Sequence, residues 1–334
     1  MTSPLNLIDR LAADSVLADA LALALRTTLF DRLLTPQSAQ QLAAPLGWHP
    51  APTAHLLALL WSFDLLARER DGDDYRYCTA ANVRPWLCQQ GERYLGEAWQ
   101  YRLQALRDFG QRLPDMLRQP LPGYSEQLPH DAAWAAAANG QIAQEQRALT
   151  ADTACEIAAT VPRFRRPARL LDMGGGPGLV SAALAQRYPQ LTGVVLDLPL
   201  TAAVAQGNLN AAGLGDRFSA VSELRADDRF DLIWCSSFLH FVADPTQTLA
   251  ELYQRLKPGG VLISAHARLS DDPQQARRVL PFFLPLLMRG KHVFRHDRLT
   301  QMLTDAGFRV EDRGERPFPM SPLHVHYAFR EEQS

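Results

Sequence analysis

The residues of this chain with the clearest chemical potential form a loop. Asp172-Met173-Gly174-Gly175-Gly176-Pro177-Gly178 follows a short apolar run at 169–173 and precedes a helical pattern at 179–187. Glycines at such a strand-to-helix turn adopt backbone angles closed to other residues and leave bare backbone at a helix N-terminus, where a ligand can rest. Twenty-three residues after Gly174, at the end of the next apolar run, stands Asp197, in Val194-Val195-Leu196-Asp197-Leu198-Pro199. A carboxylate at the carboxyl edge of an open sheet accepts both ribose hydroxyls of a nucleoside. The glycine spacing is GxGxG, whereas dinucleotide folds use GxGxxG, and Asp172 ahead of it would repel a pyrophosphate. The same negative charge suits the ammonium and sulfonium of S-adenosylmethionine (SAM). Loop and Asp197 together are therefore read as a SAM site, with NAD and a plain tight turn as the rival readings.

Such a loop needs a sheet to hold it. From residue 168 onward, short apolar runs at 169–173, 193–196, 218–221, 231–235 and 261–265 alternate with helical patterns at 179–187, 200–212 and 246–256. That alternation predicts right-handed crossovers and a parallel sheet. A helix at 299–306 and strands at 309–312 and 324–329 would supply the last elements. The first part of the chain reads differently: an amphipathic helix over 5–35, a short helix over 38–46 closed by Gly47, an apolar helix over 52–66, and a hairpin over 67–79 about the turn Asp71-Gly72-Asp73-Asp74. Helix, helix, hairpin is the winged-helix arrangement. Residues 91–165 are mainly helical, broken near Pro120-Leu121-Pro122-Gly123, and an Ala- and Gln-rich run over 132–160 bridges the two halves. The boundaries drawn are 1–95, 96–165 and 166–334.

A winged helix raises DNA binding, and charge argues against it. Residues 1–90 carry seven Arg and no Lys against nine Asp and Glu, and the would-be recognition helix at 52–63 holds neither Arg nor Lys. A groove-binding helix needs cations for phosphates, so its apolar face is assigned to protein contact, within the chain or across a dimer. The net charge of −2 gives no pull toward nucleic acid or anionic membrane. The four cysteines Cys78, Cys88, Cys155 and Cys235 have no CxxC spacing, so neither a disulfide framework nor a zinc knot is expected and the cytoplasm is the default location. Acidic and basic residues early in the chain argue against a signal peptide, and no apolar stretch is long enough for a membrane span.

Asp172-Met-Gly-Gly-Gly-Pro-Gly178, Leu196-Asp-Leu-Pro199, Leu239-His240, Lys257-Pro-Gly-Gly260 and Asp305-Ala-Gly-Phe308 resemble the class I methyltransferases of the plant caffeate and bacterial hydroxyindole O-methyltransferase type. The resemblance spans nearly the whole chain. It implies an α/β Rossmann-like catalytic domain, an N-terminal winged-helix dimerisation domain, SAM as cofactor, and a homodimer. It places Gly174 and Gly176 under the aminoacid portion of SAM and Asp197-Leu198 at the ribose. Glu223 and Leu224 stand where the family flanks the adenine, and Ser236 where many members carry a basic residue near it.

Methyl transfer to a hydroxyl requires loss of a proton, and a histidine suits that near neutral pH. His240 stands at the family's base position, although the family's His-Asp-Trp reads His240-Phe241-Val242 here. It is read either as the base or as a histidine packed at a strand edge. The family's two orienting glutamates have His266 and the neighbourhood of His292 as counterparts. No metal is expected at these three histidines, which lack a carboxylate and close spacing. The substrate wall is assigned to Trp134 and Asn139 on the bridging helix and to Phe283 and Met288, whose types suit a flat or apolar acceptor. The leading expectation is O-methylation of a small, aromatic secondary metabolite. The alternatives are N- or C-methylation, cyclisation of SAM releasing methylthioadenosine, and a non-catalytic SAM-sensing regulator.

Overall fold

The computed structural model describes residues 4–119, 131–295 and 297–332. The chain divides into two compact units, Met1–Arg107 and Asp108–Ser334.

The first unit holds α1 (Pro4–Arg26), α2 (Leu29–Arg32), β1 (Gln37–Ser38), α3 (Ala39–Leu46), α4 (Pro50–Ser62), β2 (Leu66–Asp71), β3 (Asp74–Thr79), α5 (Arg84–Leu87) and most of α6 (Gly96–Met116). Ser38 and Gln41 close a reciprocal capping box on α3, and Gly47 ends it in the left-handed region. The hairpin turns through Gly72, and its three-stranded sheet has the order β1-β3-β2. Leu29, Phe30, Leu33, Leu42, Leu57, Leu60, Leu66 and Tyr77 form its buried core. The single helix expected over 5–35 is broken: Thr28 adopts a positive φ, and the Thr27 hydroxyl donates to the Leu23 carbonyl. Two adjacent threonines compete with the helix through such side-chain bonds. No helix among the described residues is long and apolar enough to cross a membrane.

The second unit takes the end of α6 and then α7 (Asp131–Asn139), α8 (Gln141–Glu145), a π-helical turn at Gln146–Thr150 and α9 (Ala151–Ala159). The run expected as one helix over 132–160 is thus interrupted, first at Gly140 and then by the π turn. The break expected near Pro120–Gly123 lies outside the described residues. Next come β4 (Ala168–Met173), α10 (Leu179–Arg187), β5 (Leu191–Leu196), α11 (Pro199–Ala211), β6 (Phe218–Val221), β7 (Phe230–Ser236), α12 (Pro245–Arg255), β8 (Leu256–His266), β9 (Arg268–Leu269), α13 (Pro273–Leu287), β10 (Phe294–Arg295), α14 (Arg298–Asp305), β11 (Arg309–Arg316) and β12 (Leu323–Phe329). Seven strands pair in the order β11-β12-β8-β7-β4-β5-β6. The pairings among β4 to β8 are parallel, whereas β12 is antiparallel to both β8 and β11. This is a Rossmann-like sheet.

Both faces of the sheet are covered. Leu170, Val195, Trp234 and Ile263 pack on one side, and Leu171, Ile233, Cys235 and Leu262 on the other. Each fully buried leucine among them contributes about 1.5–3 kcal/mol. The amino edge is pinned by Asp231, which accepts from Arg163 at 2.5 Å, Lys257 at 3.1 Å and the Arg169 backbone at 2.8 Å. Burial alone would push that carboxyl up, but these donors hold it below its usual range. At the opposite edge β4 has β5 on one side and β7 on the other, so the loops leaving β4 and β5 turn apart from those leaving β7. A crevice at such a switch point is where open α/β sheets bind ligands.

Candidate functional site

The glycine loop occupies that crevice. Gly174, Gly176 and Gly178 have φ of +68°, +58° and +72°, angles that L side chains rarely adopt. Gly175 is required for packing instead: a Cβ there would lie 2.7 Å from both Val195 and the Asp172 carboxyl carbon. Above Gly176 the nearest groups to such a carbon are Ile142 at 3.6 Å and Gln146 at 3.7 Å, so the backbone there is open to a ligand. Asp197 ties loop to sheet: one carboxylate oxygen accepts the Gly176 N–H at 2.8 Å and the other accepts the Leu198 N–H at 2.8 Å. Burial raises its pKa, the two N–H donors oppose this, and the charge of Asp131 adds to the rise. Beside it the Leu198 side chain stays 42% exposed.

Two further residues build the site and were not found from sequence. Gln146, in the π turn, donates to the Gly175 carbonyl at 3.2 Å and accepts the N–H groups of Leu179 and Val180 at 3.1 and 3.3 Å. It thereby occupies the first donors of α10, the groups a pyrophosphate would need. One amide among several in an Ala- and Gln-rich run, it carried no signal of its own. Asp131, at the start of α7, accepts the Leu200 N–H at 2.9 Å through one oxygen. Its other oxygen is buried with no hydrogen-bond partner among the described residues.

Asp172, expected to face a ligand cation, turns under the loop. It is buried, and its carboxylate accepts the Ser181 hydroxyl at 2.7 Å. Burial pushes its pKa to about 7. Glu223 and Leu224 line a cleft of about 340 Å³ with Met173, Leu196, Leu252 and Arg255, a volume at the small end of ligand pockets. Ser236, at the end of β7, is not part of that lining. Acceptors at Asp131 and Asp197, bare backbone at Gly176 and a cleft lined by both apolar side chains and the carboxylates of Glu223 and Glu251 fit a cationic nucleoside with a free diol. They do not fit a pyrophosphate. Gly176, Asp197 and Leu198 stand at the loop, and Glu223 and Leu224 line the cleft that Met173 and Leu196 share.

The three histidines do not converge on one open point. His240 is fully buried: Nδ1 lies 2.7 Å from the His292 carbonyl oxygen, and Nε2 accepts the Ala267 N–H at 3.2 Å. Burial drives its pKa down to about 4. A base needs a free lone pair, and this ring has none, so the geometry contradicts the expected role in this conformation. His266 is likewise buried, bonded to the Leu239 N–H at 3.1 Å and the Ser264 hydroxyl at 2.9 Å. It packs 5.2 Å from the His240 ring and presents no nitrogen to a substrate. His292 meets His240 through its backbone, and its ring Nε2 lies 3.4 Å from the Ala243 carbonyl. His292 fixes the His240 ring through its backbone carbonyl and not its imidazole, and His266 meets that ring only by packing, so neither imidazole takes the place of an orienting carboxylate.

Aromatic groups do come together. Trp134 packs edge-on to Phe241 with ring centres 5.1 Å apart, and Phe283 packs 5.2 Å from His240. Phe238 lies against Gly174. Asn139, assigned to the substrate wall, is exposed at the end of α7, and Met288 caps α13.

Comparison with known proteins agrees with this geometry. The family described as "Methyltransferase domain" matches residues 144–312. A ubiquinone biosynthesis O-methyltransferase of Pseudomonas paraeruginosa is 32% identical over 168 residues, 47% of this chain and 71% of that protein. The corresponding enzyme of Stutzerimonas stutzeri is 29% identical over 171 residues, 48% of this chain and 71% of that protein. Among solved structures, an O-methyltransferase family protein from Burkholderia thailandensis aligns over 100% of both chains with a TM-score of 0.78 and 22% identity. Human N-acetylserotonin methyltransferase in complex with SAM aligns over 100% of this chain and 99% of that one, with a TM-score of 0.75 and 19% identity.

Proposed function

We propose, for a chain that belongs to the methyltransferase-domain family and is a SAM-dependent methyltransferase, transfer of the methyl group to a hydroxyl oxygen of a small, flat, largely apolar acceptor. The observation that carries this reading is the bond between Gly176 N–H and Asp197 at the sheet's switch point, which sets an open backbone beside a diol-accepting carboxylate. When bound, SAM supplies an electrophilic sulfonium methyl for an in-line displacement. The chain's own part is to position and to exclude water. Asp197 and Asp131 fix the nucleoside end, Gly176 leaves room for the aminoacid end, and the half-buried Trp134 and Phe241 offer aromatic surface to the acceptor, with Phe283 buried behind them in the core. The relatives that are O-methyltransferases support oxygen as the nucleophile.

The acceptor's proton leaves by a route other than His240 in its present pose. A phenol ionises near pH 10, and a ring held at about 4 is mismatched to it by roughly 8 kcal/mol. His240 is a positioning residue that ties the β7–α12 turn to His292 and Ala267, and the acceptor is one whose hydroxyl ionises unaided. His240→Gln is expected to keep kcat within about tenfold of the parent with the same pH profile, since a base would cost about 10²–10⁴-fold. A loss in that larger range, with unfolding temperature unchanged, reinstates the base. Product analysis separates the SAM alternatives: S-adenosylhomocysteine formed only with acceptor supports transfer, whereas methylthioadenosine formed without acceptor overturns it.

The assembly expected is a homodimer through the N-terminal unit. Ile8, Leu11 and Val16 of α1 are 60%, 61% and 59% exposed, an apolar row that water disfavours. Light scattering is expected to give twice the chain mass, reduced to one chain by Ile8→Asp with Leu11→Asp. A monomeric parent at micromolar concentration would refute this assembly.

A further inference from the structure

His324 and His326 lie two residues apart on β12, so both side chains point to one face of the sheet. In register, His326 pairs with Asp312 of β11 and with Ser264 of β8, and His324 pairs with His266. Both imidazoles are buried, with ring centres 4.8 Å apart. His324 Nε2 lies 2.8 Å from Asp312 Oδ1, and His326 Nε2 lies 2.9 Å from the Thr300 hydroxyl of α14. The Nδ1 atom of each ring is buried with no hydrogen-bond partner among the described residues.

That last fact separates these two histidines from their neighbours. His240 and His266 are also buried, and each uses both ring nitrogens. A satisfied core histidine looks like those. Two adjacent rings, each with one nitrogen fixed on an oxygen and the other left without a partner, leave two lone pairs in the same interior region. Asp312 keeps a carboxylate oxygen beyond the one that meets His324 and the Gly314 N–H. One ligand atom from each of Asp312, His324 and His326 lies within 4.8 Å of the others.

We propose that Asp312, His324 and His326 form a binding site for a divalent transition metal of the zinc class. Two imidazoles and one carboxylate are a ligand set such ions take, with remaining positions open to water. The Thr300 hydroxyl on His326 Nε2 fixes that ring's tautomer and orientation as an outer partner of a ligating histidine does, whereas Asp312, as a ligand, would turn from His324 Nε2 toward the ion. Bonds of about 2.0–2.2 Å to one ion require the three atoms to draw closer. Asp312, whose side chain is 51% exposed, is the member free to move. Arg268, 3.4 Å from His324 Nε2, opposes a cation, and Asp297 and Asp312 offset it. Because His324 pairs with His266 at the end of β8, the ion would sit on the sheet edge that carries the glycine loop, on the far side of β8 from β7.

The test uses the full chain, stripped with a chelator and dialysed against Zn²⁺ or Co²⁺. The parent is expected to hold one ion per chain, to show the visible absorption of a low-coordinate Co²⁺ site, and to unfold at a higher temperature with Zn²⁺ than without. His324→Asn with His326→Asn is expected to lose at least about tenfold in affinity and the zinc-dependent rise, each variant being compared with and without Zn²⁺ against its own metal-free unfolding temperature. His49→Asn with His55→Asn, exposed histidines outside the set, is expected to bind as the parent does. Less than one ion per chain in the parent at micromolar Zn²⁺ overturns the site, and so does unchanged binding in the double variant of β12.

Discussion

Replacing Asp197 by alanine raises the dissociation constant for SAM by about 10²–10⁴-fold. The carboxylate already accepts two backbone N–H groups, and an ionised carboxylate has lone pairs left for two more donors. Hydrogen bonds to charged groups contribute about 1.5–3 kcal/mol each, and two from a ribose diol convert to that range of affinity. The loss falls on binding rather than on the chemical step, because the ribose lies away from the transferring methyl. Turnover at saturating SAM is expected to stay close to the parent's. Asp197→Asn, which keeps one acceptor oxygen, is expected to fall between. Calorimetric titration with SAM and with S-adenosylhomocysteine reads both effects. A dissociation constant within about threefold of the parent removes Asp197 from the cofactor site and with it the main support for the proposed function.

The strands were legible where local pattern decides them. The apolar runs at 169–173, 218–221 and 231–235 correspond to β4, β6 and β7 to within one residue at each end, because a strand buried on both faces leaves a continuous apolar signature. The glycine loop was legible because positive φ and close packing both demand glycine at fixed positions. What the sequence withheld is orientation. The ring of His240 is fixed by backbone groups 27 and 52 residues away, and residue order carries no signal of which way a side chain turns. The same holds for Asp172, whose direction is set by Ser181 on the next helix. Gln146 and Asp131 were missed because each acts through backbone donors that exist only once α10 and α11 are in place. The strand at 324–329 was legible, but Asp312 and Thr300 reach His324 and His326 only through the antiparallel pairing and the packing of α14.

Asp172 decides between two readings of the loop, and its substitution by asparagine has a large expected effect of known sign. Burial pushes its carboxyl from 3.8 to about 7, the Ser181 hydroxyl opposes the shift, and the charge of Asp197 adds to it. The folded chain therefore holds a proton between roughly pH 4 and 7 that the unfolded chain has released. This group's contribution to stability is fully present below about pH 4 and is lost as pH rises through 7. A change from 3.8 to about 7 corresponds to roughly 4 kcal/mol against the ionised form. Asparagine keeps the shape and can donate its amide to the Ser181 oxygen, without a charge to bury. Asp172→Asn is thus expected to match the parent near pH 4 and to exceed it in stability by up to about 4 kcal/mol at pH 8, read by denaturant unfolding at the two pH values. Equal stability at pH 8 would mean that the carboxylate is solvated and that burial does not govern it. The cofactor then separates the readings. A cation beside the loop favours the ionised carboxylate, so if Asp172 serves the sulfonium, the parent binds SAM more tightly as pH rises through 7 and binds S-adenosylhomocysteine without that dependence. The asparagine variant loses the difference between the two ligands. If parent and variant bind SAM alike across that range, Asp172 shapes the turn under Gly175 and takes no part in choosing the cofactor, which leaves that choice to Asp197, Asp131 and the capped start of α10.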